Sequence, residues 1–157
     1  MYKIISGGQT GADRAGLEAA KEYGLETGGW MPKGFISQDG VHPEFAELYG
    51  IQEHESSNYP PRTALNVKDS DGTVRFMTNR FSAGSKCTLR MIKQYQKPYF
   101  DVNPLDEDIT PQKLADWITA NNIQVLNVAG NAERKSPCIG EFVVAFLHDV
   151  FEYLSKQ

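Results

Sequence analysis

The sequence predicts a three-layer α/β sandwich built on a mostly parallel sheet, and three observations carry that prediction. Apolar runs alternate with stretches of helical periodicity along the whole chain, the order that gives parallel strands joined by crossover helices. The opening run, Tyr2 to Ile5, passes directly into a glycine-rich turn, Ser6 to Gly11, and then into a helix. No repeat, low-complexity tract or linker interrupts the 157 residues, a length that suits one domain with its own core.

In the first helix Ala12, Ala15, Ala19, Ala20 and Tyr23 recur at helical spacing, and Gly24 is placed to end it. Leu25 to Trp30 reads as a second strand, weakened by Gly28 and Gly29. A long irregular stretch follows to about Pro43. Trp30, Phe35 and Ile36 give it apolar surface to pack, so an ordered loop over a ligand pocket is expected. Glu44 to Tyr49 reads as a short helix stopped by Gly50, and Ile51 to Asn58 is polar and ambiguous. Tyr59-Pro60-Pro61-Arg62 reads as a turn, because consecutive prolines forbid regular pairing. Arg62 to Asp69 then reads as a helix, Asp69 to Gly72 as a turn and Thr73 to Met77 as a strand.

A polar loop, Thr78 to Gly84, leads into a helix from Ser85 to Gln96, and Pro98 to Val102 is a short strand. Thr110 and Pro111 are the N-cap and first residue of the next helix, which ends at Asn121-Asn122. Ile123 to Ala129 is a buried strand. After the Gly130–Lys135 loop, Ser136-Pro137 is expected to cap the final helix by the same logic. Its wide stripe, including Ile139, Phe142, Val143, Phe146, Leu147 and Val150, packs on the sheet and offers a surface for self-association.

Composition narrows the function classes. The chain is 40% hydrophobic and 23% charged, ordinary values for a soluble domain. No apolar run approaches the ~20 residues of a membrane span, and the N-terminus enters a strand without a signal-peptide pattern, so a cytoplasmic protein is expected. The net charge of -4 speaks against bulk nucleic-acid binding. Cys87 and Cys138 lie far apart with no Cys-x-x-Cys, which reads as two buried thiols and no metal site.

Chemistry is expected where the loops meet. In a parallel sheet, ligands sit outside the carboxyl ends of the strands. Three strand-to-helix loops should converge there: Ser6–Gly11, Asn79–Lys86 and Ala129–Ser136. In the first, Gly7, Gly8 and Gly11 let a ligand approach the main chain, and Gln9 and Thr10 add donors at a helix N-terminus. We read it as a phosphate cradle. Asp13 either answers the helix dipole or bonds a ligand hydroxyl or a neighbouring loop. Arg14 is an anion partner or a surface residue, and Lys33 faces an anion or solvent. Arg62 and Asn66, four residues apart on one helix face, either hold a phosphate or pair with Asp71 as structural glue. Asp71 precedes its strand, which favours the structural role. Lys86 opposes the dipole at a helix start, so it faces either an anion or solvent.

Four blocks carry a family resemblance: Gly7-Gly8-Gln9-Thr10-Gly11-Ala12-Asp13, Trp30-Met31-Pro32-Lys33-Gly34, Arg62 to Thr73, and Leu126-Asn127-Val128-Ala129-Gly130. In order and over nearly the whole chain, they resemble the putative molybdenum carrier family, described as circularly permuted relatives of YpsA-type proteins. That family falls in the Rossmann-like group that includes the lysine-decarboxylase-like LOG phosphoribohydrolases and DprA. The resemblance implies a Rossmann-like fold, a phosphate-bearing ligand (molybdenum cofactor or a nucleotide), and self-association. The sequence departs from the family pattern twice. Where Gly-Gly-Thr-x-x-Thr is expected stands Ala83-Gly84-Ser85-Lys86-Cys87-Thr88, in which Ser85 and Thr88 keep their hydroxyls. After Gly130, Asn131 stands in place of a proline, and Arg134 is out of register with the expected arginine.

The reading is therefore a non-catalytic binding or carrier protein for a phosphorylated small molecule. The alternative is a LOG-like nucleoside 5′-monophosphate phosphoribohydrolase, for which no glutamate aligns with the catalytic one. A nucleic-acid role like that of DprA is opposed by the acidic balance.

Overall fold

β1 (Lys3–Ser6) lies near the middle of a six-stranded, all-parallel sheet. The computed structural model, which describes residues 1–157, arranges this sheet in the order β5-β2-β1-β8-β6-β7. The chain leaves β1 through α1 (Ala12–Glu22) to β2 (Glu26–Met31), and reaches the edge strand β5 (Ile51–Glu53) after a small hairpin and a short helix. The hairpin is β3 (Ile36–Ser37) with β4 (Gly40–Val41); the short helix is α2 (Phe45–Tyr49). α3 (Tyr59–Lys68) then carries the chain across to β6 (Gly72–Phe76), α4 (Ala83–Tyr95) leads to the other edge, β7 (Tyr99–Val102), and α5 (Pro111–Ala120) returns it to β8 (Val125–Gly130) between β1 and β6. α6 (Ile139–Ser155) closes the chain. The direction of winding reverses around β1 and β8, where a crevice is expected.

The strands have two unlike faces. Ile4, Val74, Phe76, Val102, Leu126 and Val128 point to α1, α5 and α6 and form the main core with Leu114, Ile118, Leu147 and Phe151. Gly16 lets α1 lie directly on this face, because a Cβ there would fall 2.7 Å from Val128. The alternate residues Thr73, Arg75 and Asn127 point to α3 and α4 and are buried polar groups. Asn127 Nδ2 donates to Thr73 Oγ1 at 3.1 Å. Arg75 donates through Nε and one terminal nitrogen to Asp101, both at 2.7 Å, and through the other to the Ser85 carbonyl at 3.1 Å, which ties the start of α4 to the sheet. A second, smaller core joins Leu17, Met31, Phe45, Tyr49 and Ile51 at the β5 edge.

Several local expectations change. Tyr59-Pro60-Pro61-Arg62 is the first turn of α3, where the N–H that proline lacks has no helical acceptor anyway. α4 starts earlier than expected, at Ala83, capped by Ser82. Ser136-Pro137 does not cap α6: Cys138, at φ 71°, precedes Ile139, and the Ser136 hydroxyl is held by Thr78 instead. The thiols are not both buried, since Cys87 is half-buried and Cys138 exposed. The irregular stretch after Trp30 is ordered, as expected, by the β3–β4 hairpin. No helix is long and apolar enough to cross a membrane.

Candidate functional site

Beyond the carboxyl ends of β1 and β8, the N-terminal turns of α3 and α4 flank a cavity of about 510 Å³, within the range usual for small-molecule sites. Its floor is the end of β8, Asn127 to Gly130. Its sides are the glycine loop with the start of α1, the first two turns of α3, the start of α4, and the loop after β8.

On the α1 side, the Arg62 guanidinium lies against Gly7 so closely that a Cβ there would collide with it. One of its terminal nitrogens sits 3.7 Å from Asp13 Oδ2, its carbon lies 5.4 Å from the centre of the Tyr59 ring, and its Nε has no partner. Asp13 is buried. Burial pushes its carboxyl up from 3.8 to about 6, although Arg62, the Gln9 backbone and Arg14 all pull the other way. Gln9 Nε2 donates to the carbonyls of Gly7 and Ile36, at 3.3 and 3.0 Å, which orients the amide and leaves Oε1 buried without a donor.

Some N–H groups at this loop are taken by the protein itself, while those of Gly7 and Gly11 have no protein acceptor. Gly8 N donates to Ser6 Oγ (3.2 Å), Thr10 N to Gln38 Oε1 (3.4 Å) and Ala12 N to the Asn131 carbonyl (3.2 Å). The loop thus joins the hairpin to the loop after β8. Ser82 Oγ accepts from Ser85 N, and Lys86 N donates to the Ser82 carbonyl, while Ala83 and Gly84 have no protein acceptor for their N–H groups. A Cβ on Gly84 would meet nothing within 4 Å. Arg134 and Lys135 also line the cavity, and Asp13 is its single carboxylate.

Ten of the residues singled out in the sequence line this one cavity: Gly7, Gln9, Thr10, Asp13, Arg62, Asn66, Gly84, Thr88, Gly130 and Asn131. Two of them have their side-chain amides committed elsewhere. Asn66 Oδ1 accepts from Trp30 N and its Nδ2 donates to the Trp30 carbonyl, at 2.9 and 3.1 Å, replacing the strand partner that β2 loses where β1 ends. Asn131 accepts from Thr78 N and Asn79 N, both at 2.9 Å, and donates to the Asn79 carbonyl at 3.0 Å, which locks two of the converging loops together. Asp71 accepts from Gln124 N and Val125 N at 3.0 and 2.8 Å, the structural role its position favoured.

The others lie outside. Arg14 grips Asp39 through both terminal nitrogens, at 2.6 and 3.0 Å, and so latches the hairpin to the glycine loop. That hydrogen bond, with help from His42, holds the Asp39 carboxyl below the usual carboxylate range. Gly8 (φ 67°) faces the small core, where a Cβ would press on Met31 and Ile51. Gly11 packs on the backbone of the loop after β8. Ser85 is buried behind the α4 wall, and Lys33 and Lys86 are exposed and line no part of the cavity.

Sequence reasoning missed Tyr59, Thr63, Cys87 and Asn127 as lining residues; it placed the loops that hold Asn79, Ser82, Arg134 and Lys135 at the site without singling out these side chains as ligand contacts, Arg134 entering only as an out-of-register arginine. Asn127 left a signal, a lone amide in the otherwise apolar Val125 to Ala129 run. Ser82 left another, a hydroxyl three residues before Ser85 at a helix start. Glu133, in the same loop as Arg134, accepts from Cys138 N and Gly140 N at 2.6 and 3.0 Å, so the protein's own carboxylate fills the N-terminus of α6. No three His, Cys, Asp or Glu side chains stand together as a metal site.

Residues 4–151 match the model of the circularly permutated YpsA SLOG family, and the chain belongs to that family. It is similar to a putative molybdenum carrier protein from Syntrophus aciditrophicus SB, known from a crystal structure at 1.45 Å resolution. The identity is 38%, the match covers 98% of this chain and 94% of that one, and the TM-score is 0.84. No functionally curated protein matches the chain. The resemblance read from the Gly7–Asp13 and Arg62–Thr73 blocks is borne out.

Proposed function

We propose that the chain binds a phosphate-bearing small molecule, molybdenum cofactor or a nucleotide-type ligand, in the cleft between α3 and α4. The observation that carries this reading is the charge of the cleft: Arg62, Arg134 and Lys135 face a cavity holding a single carboxylate. An anion entering it meets the N–H groups of Ala83 and Gly84 at a helix start, where backbone donors and partial positive charge coincide. The phosphate end of the ligand is assigned there, with Arg134 and Lys135 of the loop after β8 facing the same cavity. The amide-lined floor and the unpartnered Gln9 Oε1 and Arg62 Nε suit the polar ring of a pterin or a nucleobase. The carrier relative makes molybdenum cofactor a candidate cargo, held and released without chemistry. The working form is a cytoplasmic homo-oligomer.

Native mass spectrometry of the purified protein, followed by thermal-shift titration with nucleotides, ADP-ribose and inorganic phosphate, tests this reading. The expected result is a bound pterin–molybdenum mass or a rise in Tm with one of the phosphorylated compounds. No bound mass and no shift with any of them rejects it.

One observation favours a second reading, an enzyme. Asp13 holds a carboxyl pushed up to about 6 inside the same cavity, suited to exchanging a proton near neutral pH. A nucleoside 5′-monophosphate phosphoribohydrolase would use it while water cleaves the N-glycosidic bond to give free base and ribose 5-phosphate. Base release on incubation with nucleoside monophosphates, abolished in Asp13→Asn, would move the assignment to this class.

A further inference from the structure

The two long sides of the cleft offer opposite chemistry. The α4 side presents donors, the Ala83 and Gly84 N–H groups, and the loop after β8 adds the positive charge of Arg134 and Lys135. On the α1 side, two acceptors stand beside one guanidinium. They are the Asp13 carboxylate, 3.7 Å from Arg62, and Gln9 Oε1, whose amide is fixed by the Gly7 and Ile36 carbonyls that its Nε2 bonds. Gln9 is 5% exposed and Oε1 has no donor within the protein. A buried acceptor left without a donor is costly, and a carboxylate in a cleft that binds anions repels them. Both features make sense if the ligand brings donors of its own to this side.

We propose that Asp13 and Gln9 form a hydroxyl-reading subsite beside Arg62, so that the ligand is a sugar-like phosphate ester lying across the cleft, phosphate on α4 and hydroxyls on α1. The inference rests on the phosphate-binding reading above. A hydroxyl can donate to the Asp13 carboxylate while accepting from Arg62, a pairing that the oxygens of a fully ionised phosphate monoester, with no proton to donate, do not offer. The subsite therefore selects for hydroxyl groups, whereas the α4 side selects for charge.

Titration calorimetry with inorganic phosphate, ribose 5-phosphate and 2-deoxyribose 5-phosphate tests the proposal on the wild-type chain and on Asp13→Asn. The expected result is ribose 5-phosphate binding about tenfold more tightly than its 2-deoxy analogue, with that preference lost in Asp13→Asn while inorganic phosphate still binds. Equal affinity for the two sugar phosphates, or a preference that survives in Asp13→Asn, overturns the subsite and leaves phosphate binding standing. Failure of all three compounds to bind overturns both.

Discussion

Successive residues of β6 and β8 look in opposite directions and meet different physics. Val74, Phe76 and Leu126 enter an apolar core under α1, α5 and α6, whereas Thr73, Arg75 and Asn127 enter a polar layer under α3 and α4. Apolar burial is non-directional and adds up with area. A buried polar layer works only when each group finds its partner at the right distance and angle. The first face can therefore hold the fold together while tolerating substitution by similar apolar residues. The second holds α3 and α4 at a fixed spacing and leaves a cavity between them. The main apolar core and the cleft are divided between the two sides of one sheet.

The largest test of that division is on the apolar side. Phe76 is fully buried, edge-on to Phe142 and Phe146. Phe76→Ala should cost about 3–5 kcal/mol, read from urea unfolding, and a loss below about 1 kcal/mol would remove the assignment of stability to this face. On the polar side the sign should reverse. Asp13 has a folded-state value of about 6 against 3.8, so the folded protein takes up a proton that the unfolded chain releases across that range. Stability from this group is present below pH 4, falls as pH rises to about 6, and stays lost above. Asp13→Asn should stabilise the ligand-free protein by about 2–3 kcal/mol at pH 7.5 and by almost nothing at pH 3.5. Equal stability of variant and wild type at both pH values would show the carboxyl to be solvated.

Gly7→Ala is the next smaller effect. The added methyl displaces the end of the flexible Arg62 side chain, so affinity for ribose 5-phosphate should fall about tenfold, roughly 1.4 kcal/mol, with little change in Tm. Unaltered affinity would take Arg62 out of the site. Lys86→Ala should change neither affinity nor stability by more than about 0.5 kcal/mol, because Lys86 is exposed and lines no part of the cavity. A larger loss of binding would bring it back.

Most of the fold was legible because its signals are local. The alternation of strand and helix patterns, the stripe of the last helix and the Thr110-Pro111 start can each be read within about ten residues. The misreadings were also local, and each has a reason. Pro60 and Pro61 look like a break, yet proline is tolerated in the first turn of a helix. Ser136-Pro137 looks like a cap, but Thr78, 58 residues away, holds the serine. The site was legible in outline, as three converging loops. Which side chains enter it was not, since that depends on partners distant in sequence. Arg14 is removed from the cleft by Asp39, and Asn66 is spent on Trp30. Asp13 is made a weak acid by burial, opposed by Arg62 of a helix that begins 46 residues later, at Tyr59.

Trp30 is fastened to α3 twice. The amide of Asn66 takes both of its backbone groups, and its indole Nε1 donates to Asp69 Oδ2 at 2.9 Å, at the end of the same helix. The sequence has one other tryptophan, Trp117, packed against Phe100 on the far side of the sheet. One fluorophore is thus coupled to a wall of the cleft and the other is remote from it. Any movement of α3 as the cleft fills alters the hydrogen bonding of the first and spares the second. If filling the cleft moves α3, Trp30 is placed to report it by its fluorescence, and Trp117→Phe would isolate that signal.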